Sequence, residues 1–525
     1  HFHELGEYRT AISQDRYYRL SVGGSGDEIV CNVDGREVIR VRDDTLRKGE
    51  AGIRNLGMAP YRSVTVTADG EQWANIVSAR ERESARLAEK RERYPQMELM
   101  KTIEYPVAVS PGLFGNFTGT TGLDYVCKWH DAEAATDRLG VFNAAGEMVW
   151  SRPFETTWDA PRAADCNHDG IDEIVFVCDD SLLILSGRDG DVLARTELPP
   201  PGPLCDIYGH GAHTKVQHVY FAQLRERPAS MDVVIMDGEP MGGWNAWVYD
   251  GNLEPRFHIH FEQPPFGHHS YFYDINGDGR EEWIIGSRVL DGDGTILWTV
   301  DGAKQMDLFG PGRHVDNCSF GLMSDDPADG FFAAFSCGDD GFVLADAANG
   351  REYTSHYFGH VQGQSIGKYC KDIPGLQTIC GTRHRGYGIL SLVSSRGEVI
   401  QRWQPDFRSQ GGFPCNWRGD GEELLCLNWR TAVGGLWDRD GDCVVPFPDE
   451  MTREDRTSVT PLMLPLAPQP LLHDCIDQVV FLEGTTLRFY GPDSLPAGGR
   501  IYKPVRNSNR HTTAVSWPGW KEKSE

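Results

Sequence analysis

Histidine opens four segments of this 525-residue chain at near-regular spacing: His213-Thr-Lys215, His268-His269-Ser270, His314-Val-Asp316 and His360-Val-Gln362, separated by 55, 46 and 46 residues. Imidazole is the side chain that exchanges protons near neutral pH, so aligned histidines suggest acid–base or ligand chemistry. A second set is cationic and aromatic: Lys128, His130, Arg288, Arg313, Arg383-His384-Arg385-Gly-Tyr387 and Asn428-Trp429-Arg430. A third is acidic. Asp165, Asn167, Asp169 and Glu173, and again Asp274, Asn276, Asp278 and Glu282, read D-x-N-x-D-G-x-x-E. Oxygens at the first, third, fifth and ninth positions, with glycine at the sixth for the bend, suit a hard cation. Carboxylate-rich, sulfur-free sets favour Ca²⁺ over zinc or copper, and the ion would be structural. An acidic turn without an ion is the alternative, above all for the weaker echoes at Asn416–Glu423 and His473–Asp477.

The elements that must position these residues form a repeat. Units roughly 46 to 58 residues apart run as strand, acidic or glycine turn, strand, turn, strand, Asp-Gly or Asn-Gly turn, strand, as in Ser287–Trp298 and Phe342–Gly350. Repeated four-stranded units of about 50 residues are the mark of a β-propeller. Eight candidate units between about 107 and 492 predict an all-β, eight-bladed propeller, with seven blades and a shared closing strand as the alternative. First strands line the central channel, so the four histidine starts converge on one mouth. Antiparallel pairing returns the end of each second strand to the same face, which adds the cationic set. The acidic motif follows the first strand, about 20 Å from its start at about 3.3 Å per residue, and so staples blades away from the mouth. Outside the repeat, residues 1–72 read as a partial, concanavalin-like jelly-roll segment and 73–105 as a helical linker. Residues 106–492 are the propeller and 493–525 a tail packing on it.

Composition sets bounds. With 51 Lys+Arg against 77 Asp+Glu the net charge is −26, which argues against nucleic acid as a partner because phosphate binding is mostly cationic neutralisation. No apolar run approaches the roughly 18 residues of a membrane span. No charged and apolar leader follows His1, consistent with a processed or trimmed start. Thirteen cysteines, most in apolar runs and none in CxxC spacing, read as free buried thiols. Oligomeric state leaves no mark in the sequence.

The run Gly267–Trp298, which joins the tandem histidine to the acidic motif, together with the later His-Val-Asp and His-Val-Gln strands, resembles the β-propeller polysaccharide lyases. The resemblance is to rhamnogalacturonan lyases and related ulvan and rhamnosyl-glucuronate lyases, over about residues 107 to 492. It implies cleavage of an acidic rhamnose and uronate glycan by β-elimination. The reaction needs a base for the proton beside the uronate carboxylate, donors or a cation to neutralise that carboxylate, and an acid for the leaving oxygen. On this reading His268 or His269 is the base, Arg385 the carboxylate clamp with Arg313 second, and Tyr387 the acid. His213, Lys215, His314, His360, Arg383, His384, Trp429 and Arg430 hold substrate. Hydrolysis would need two flanking carboxylates, for which only Asp159 and Asp316 stand near the mouth. A non-catalytic, calcium-stabilised carbohydrate-binding or interaction propeller is the other alternative. The substrate class points outside the cell, the unpaired cysteines to the cytoplasm.

Overall fold

The computed structural model describes residues 5–11, 13, 16–43, 63, 65–120, 122–157, 160–200, 216–226, 230–237, 245–261, 267–300, 314–384, 388–405, 412–427, 434–448, 460–461, 470–495, 500–506 and 515–522. The chain divides into two units, His1–Arg86 and Leu87–Glu525.

In the first unit, strands Leu20–Ser25, Glu28–Val33 and Arg36–Arg42 form an antiparallel meander. Arg40 pairs across the strands with Glu28 and within its own strand with Glu37, both at 2.6 Å. No described side chain here is buried, and three strands are fewer than a jelly roll contains. The helix Gly70–Arg91 begins in this unit and starts on a capping box: Gln72 N donates to Asp69 Oδ1 at 2.7 Å, and Asp69 N donates to Gln72 Oε1 at 3.2 Å.

The described residues of the second unit form eight four-stranded antiparallel sheets, seven of them meanders in chain order. Sheets 1 to 7 span residues 113–154, 162–197, 216–260, 270–299, 317–356, 360–403 and 413–446. Sheet 8 takes three strands from residues 460–492 and its fourth from Met97–Glu104, which pairs with Thr486–Pro492. The strand at 97–104 corrects the expectation of a linker there. An outer strand with only Ile103 buried has no apolar alternation to read.

First strands of successive sheets lie against one another in sheets 1 to 3 and in sheets 4 to 7, a propeller-like arrangement. A reciprocal backbone latch recurs between neighbours. Asp172 Oδ2 accepts the Asn116 N–H at 2.7 Å, and the Asp172 N–H donates to Asn116 O at 3.0 Å. Glu281 does the same with Gln223, Glu423 with Lys368 and Asp477 with Asn416. These acids include the eighth residue of both intact motifs, a position the sequence reading treated as a spacer. At the outer edge, Trp150 Nε1 donates to Gly187 O at 2.7 Å, and Trp298 Nε1 donates to Ala347 O at 2.9 Å, each reaching into the next sheet. Sheet 8 meets sheet 1 in turn: Phe114 and Phe489 lie 5.5 Å apart, and Gly146 sits against Glu104 O.

Gly350 shows how close the outer contacts are. Its φ is +75°, and a Cβ there would fall 2.6 Å from the Trp298 ring. Gly350→Ala should therefore cost roughly 1–3 kcal/mol, as overpacking typically does, read as a lower denaturation midpoint; an unchanged midpoint would mean the indole is free to move aside.

Ion pairs tie Lys90 to sheet 7. Lys90 Nζ lies 2.6, 2.7 and 2.6 Å from carboxylate oxygens of Asp438, Asp440 and Asp442 in the last turn of sheet 7. The tail folds back as strands Arg500–Tyr502 with Trp520–Glu522 and Val505–Arg506 with Ser516–Trp517. It bridges several sheets: buried Arg506 pairs with Glu423 and Asp477, and Trp517 stacks 4.1 Å from Tyr273. Twelve cysteines are described; all are free thiols, and all but Cys31 are buried.

Candidate functional site

The first strands of sheets 4, 5 and 6 bring three of the four spaced histidines together. Gly267 forms a parallel bridge with Val315, and the His268 N–H donates to Val315 O at 3.1 Å. That backbone stitch sets His268 Nε2 2.9 Å from His314 Nε2. Asp316 Oδ1 lies 3.8 Å from each. The three donor atoms are within 4.8 Å of one another. Ligands bonded to one ion at about 2.0–2.2 Å can be no more than about 4.4 Å apart, and the 2.9 and 3.8 Å separations satisfy that limit. Two imidazoles and a carboxylate are the donor set of first-row divalent ions.

Burial supports the ligand form. The Asp316 side chain is 1% exposed and that of His314 7%. Burial lowers the pKa of His268, outweighing the nearby Asp316 carboxylate, so its imidazole is neutral at pH 7, the form that binds metal.

Sheet 6 encloses the trio. Gly338 and Val361 exchange backbone hydrogen bonds of 3.1 and 2.9 Å, which carries Asp339 to the new strand. His360 Nδ1 then lies 3.0 Å from Asp339 Oδ1 and its Nε2 3.3 Å from Asp316 Oδ2. Burial alone would lower the His360 pKa; hydrogen bonds to the two carboxylates outweigh it and raise it. Gln362 Nε2 donates to Asp316 Oδ1, and Arg383 Nη1 donates to Gln362 Oε1 at 3.3 Å. No described carboxylate neutralises Arg383, whose charge helps to lower the His268 pKa.

His269, the other residue of the tandem, is outside the trio, with its ring 6.5 Å from that of His268 and 4.8 Å from that of His218. His218, on the strand Val216–Ala222, escaped the sequence reading because that alignment was keyed on His213. The even spacing hides unequal register. His268 stands two residues before its strand, His314 three before its own, and His360 begins one. Asp339 was missed as well; a single acid in a turn carries no spacing signal. His213, Lys215, Arg313, Arg385, Tyr387, Trp429, Arg430 and Asp159 lie outside the described residues, as does the side chain of His384.

The acidic motifs sit at the far ends of the first strands of sheets 2 and 4. Asp274 Oδ1 accepts the Gly277 N–H at 2.7 Å and its Oδ2 the Gly279 N–H at 2.9 Å. Asn276 Oδ1 accepts from Asp278 N at 2.8 Å, and Asn276 Nδ2 donates to Glu282 Oε1 at 2.6 Å. Asp165, Asn167, Asp169 and Glu173 repeat this pattern. Burial pushes Glu282 up to about 7.

No family model matches the chain. Among curated proteins, rhamnogalacturonan exolyase YesX of Bacillus subtilis (strain 168) is 25% identical over 288 residues, 50% of this chain and 44% of that protein. The match thus spans less than half the length of that relative. Among solved structures, the exotype rhamnogalacturonan lyase YesX superposes with a TM-score of 0.54 at 18% identity, covering 89% of this chain and 81% of the other. Rhamnogalacturonan lyase YesW gives 0.56 at 16% identity, covering 95% and 88%. A structure of rhamnogalacturonan lyase PL11 from Bacillus licheniformis gives 0.51 at 16% identity, covering 90% and 81%. The chain is similar in sequence, over half its length, and in fold, over most of it, to rhamnogalacturonan lyases.

Proposed function

We propose that the chain is a polysaccharide lyase that cleaves a rhamnose and uronate glycan by β-elimination, with the eight sheets as the blades of one closed propeller. The observation that carries the reading is the His268–His314–Asp316 trio beside Arg383, which no described carboxylate neutralises, in a chain similar to rhamnogalacturonan lyases. A divalent cation held by the trio would supply a Lewis acid for the uronate carboxylate. Arg383 donates N–H groups to the same carboxylate, from the neighbouring strand end. In the elimination, the bond from hydrogen to the carbon beside the carboxylate breaks, its electrons form the carbon–carbon double bond, and the glycosidic oxygen leaves with a proton. Of the two histidines suited to take the first proton, His269 is the one not engaged in the trio. Tyr387 remains the proposed acid. The test is incubation with rhamnogalacturonan, ulvan and a gum bearing rhamnosyl-glucuronate. The conjugated double bond of an unsaturated uronate should absorb in the ultraviolet on at least one of them. Binding without any new absorbance would favour a non-catalytic carbohydrate-binding propeller.

We further propose that Asp165, Asn167, Asp169 and Glu173, and Asp274, Asn276, Asp278 and Glu282, hold structural Ca²⁺. Their backbone hydrogen bonds already fold the loops around the carboxylates. Chelation should lower the melting temperature, since an ion bound only by the folded state stabilises it. The sign with pH follows from Glu282, whose carboxyl is pushed up to about 7 without an ion. Its proton competes with the cation below that pH, so the chelator effect should be larger at pH 8 than at pH 6. Glu282→Ala should remove part of the Ca²⁺ effect and leave turnover of the folded protein nearly intact; lost turnover with unchanged melting would reverse the structural assignment.

A further inference from the structure

We infer that the first strand of sheet 6, His360–Gly367, is the holding frame of the cation centre, with His360 and Gln362 as positioning residues for Asp316 and not sugar contacts. The inference rests on the reading of the trio as a cation site. Asp316 divides its two oxygens between two tasks. Oδ1 faces His268 Nε2 and His314 Nε2, 3.8 Å from each, while Oδ2 faces His360 Nε2 at 3.3 Å. Gln362 fixes the carboxylate from the side, through Nε2 to Oδ1.

The orientation of that amide is determined chemically. A guanidinium can only donate, so the 3.3 Å contact from Arg383 Nη1 requires the Gln362 oxygen on its side and the NH₂ group on the side of Asp316. Arg383 therefore sets the direction of Gln362, and Gln362 sets the plane of Asp316. His360 is hydrogen-bonded through Nδ1 to Asp339 at 3.0 Å, and its Nε2 lies at ion-pair distance, 3.3 Å, from Asp316 Oδ2. With both ring nitrogens directed at carboxylates and its side chain only 13% exposed, it offers a sugar hydroxyl no donor without giving up one of them. Gly338 permits the approach. A Cβ on it would lie 3.3 Å from both Asp316 Oδ2 and His360 Cε1. Partners of this kind, behind the ligands of a metal, fix ligand orientation and typically govern 10- to 100-fold in affinity.

The test is calorimetric titration of the whole protein with Zn²⁺ in excess Ca²⁺, which keeps the oxygen-only loops filled. Wild type, His314→Ala, Gln362→Leu and His360→Gln are compared, with melting curves to confirm folding. His314→Ala should abolish the Zn²⁺ isotherm. Gln362→Leu and His360→Gln should weaken it by roughly 10- to 100-fold, and added cation should restore their turnover at unchanged KM for the glycan. Wild-type affinity in both variants, with KM for the glycan raised, would overturn the frame and make these residues sugar contacts. No isotherm in wild type would overturn the cation centre and the frame together. Should His360→Gln fail to fold, Gln362→Leu decides alone, because leucine keeps the volume of the amide and removes only its hydrogen bonds.

Discussion

His314→Ala is expected to lower turnover on the cleaved glycan by on the order of 10² to 10⁴, the range one well-placed group contributes to such proton transfers and charge stabilisation. His314 Nε2 meets His268 at 2.9 Å and its side chain is 7% exposed. A melting curve of the variant separates lost chemistry from lost fold. His269→Ala separates the two candidate roles. As the base it should lose a similar factor without losing bound cation, whereas His314→Ala should lose both. Near-normal turnover in His314→Ala would remove the trio from the chemistry.

Arg506→Met should produce the largest loss of stability. The guanidinium is 4% exposed, donates from Nη1 to Glu423 Oε1 at 2.8 Å and pairs through Nη2 with Asp477. Removing one partner of a buried ion cluster leaves charge uncompensated and costs about 3–5 kcal/mol. The loss should depend on pH in a definite direction. Burial already pushes Asp477 up to about 6, even with the guanidinium beside it. Without Arg506 the folded-state pKa of Asp477 lies higher still, and above its unfolded value near 3.9. Both folded proteins then bind this proton more readily than the unfolded chain does, but the variant takes it up from a higher pH, so its deficit relative to wild type should narrow as pH falls from 7 to about 6, where wild-type Asp477 begins to take up the same proton. Chemical denaturation at both pH values measures it. A midpoint unchanged at pH 7 would show that the tail does not lock sheets 7 and 8.

The repeat was legible because its turns are chemically marked. The motifs at Asp165–Glu173 and Asp274–Glu282 fall between first and second strands, and Glu173 and Glu282 open the second strands. What stayed hidden depends on partners far apart in the chain. Met97–Glu104 belongs to a sheet whose other strands begin at Thr460, and its exposed side chains give no pattern. In the degenerate copies the sequence shows acids that do not complete the motif. Glu423 and Asp477 of these copies share the Arg506 guanidinium. The spacing predicts a histidine mouth, and the Gly267–Val315 bridge is what draws His268 and His314 together. Asp316, considered first as a hydrolytic acid, instead lies buried against two imidazoles.

The most direct test counts two products on one cleaved glycan: new reducing ends, and unsaturated uronates measured by their ultraviolet absorbance. Elimination predicts one unsaturated end for every new reducing end, with both lost on removal of the cation and both restored by adding it back. Reducing ends that accumulate without the double bond would mean that water attacks the bond, and would contradict a lyase.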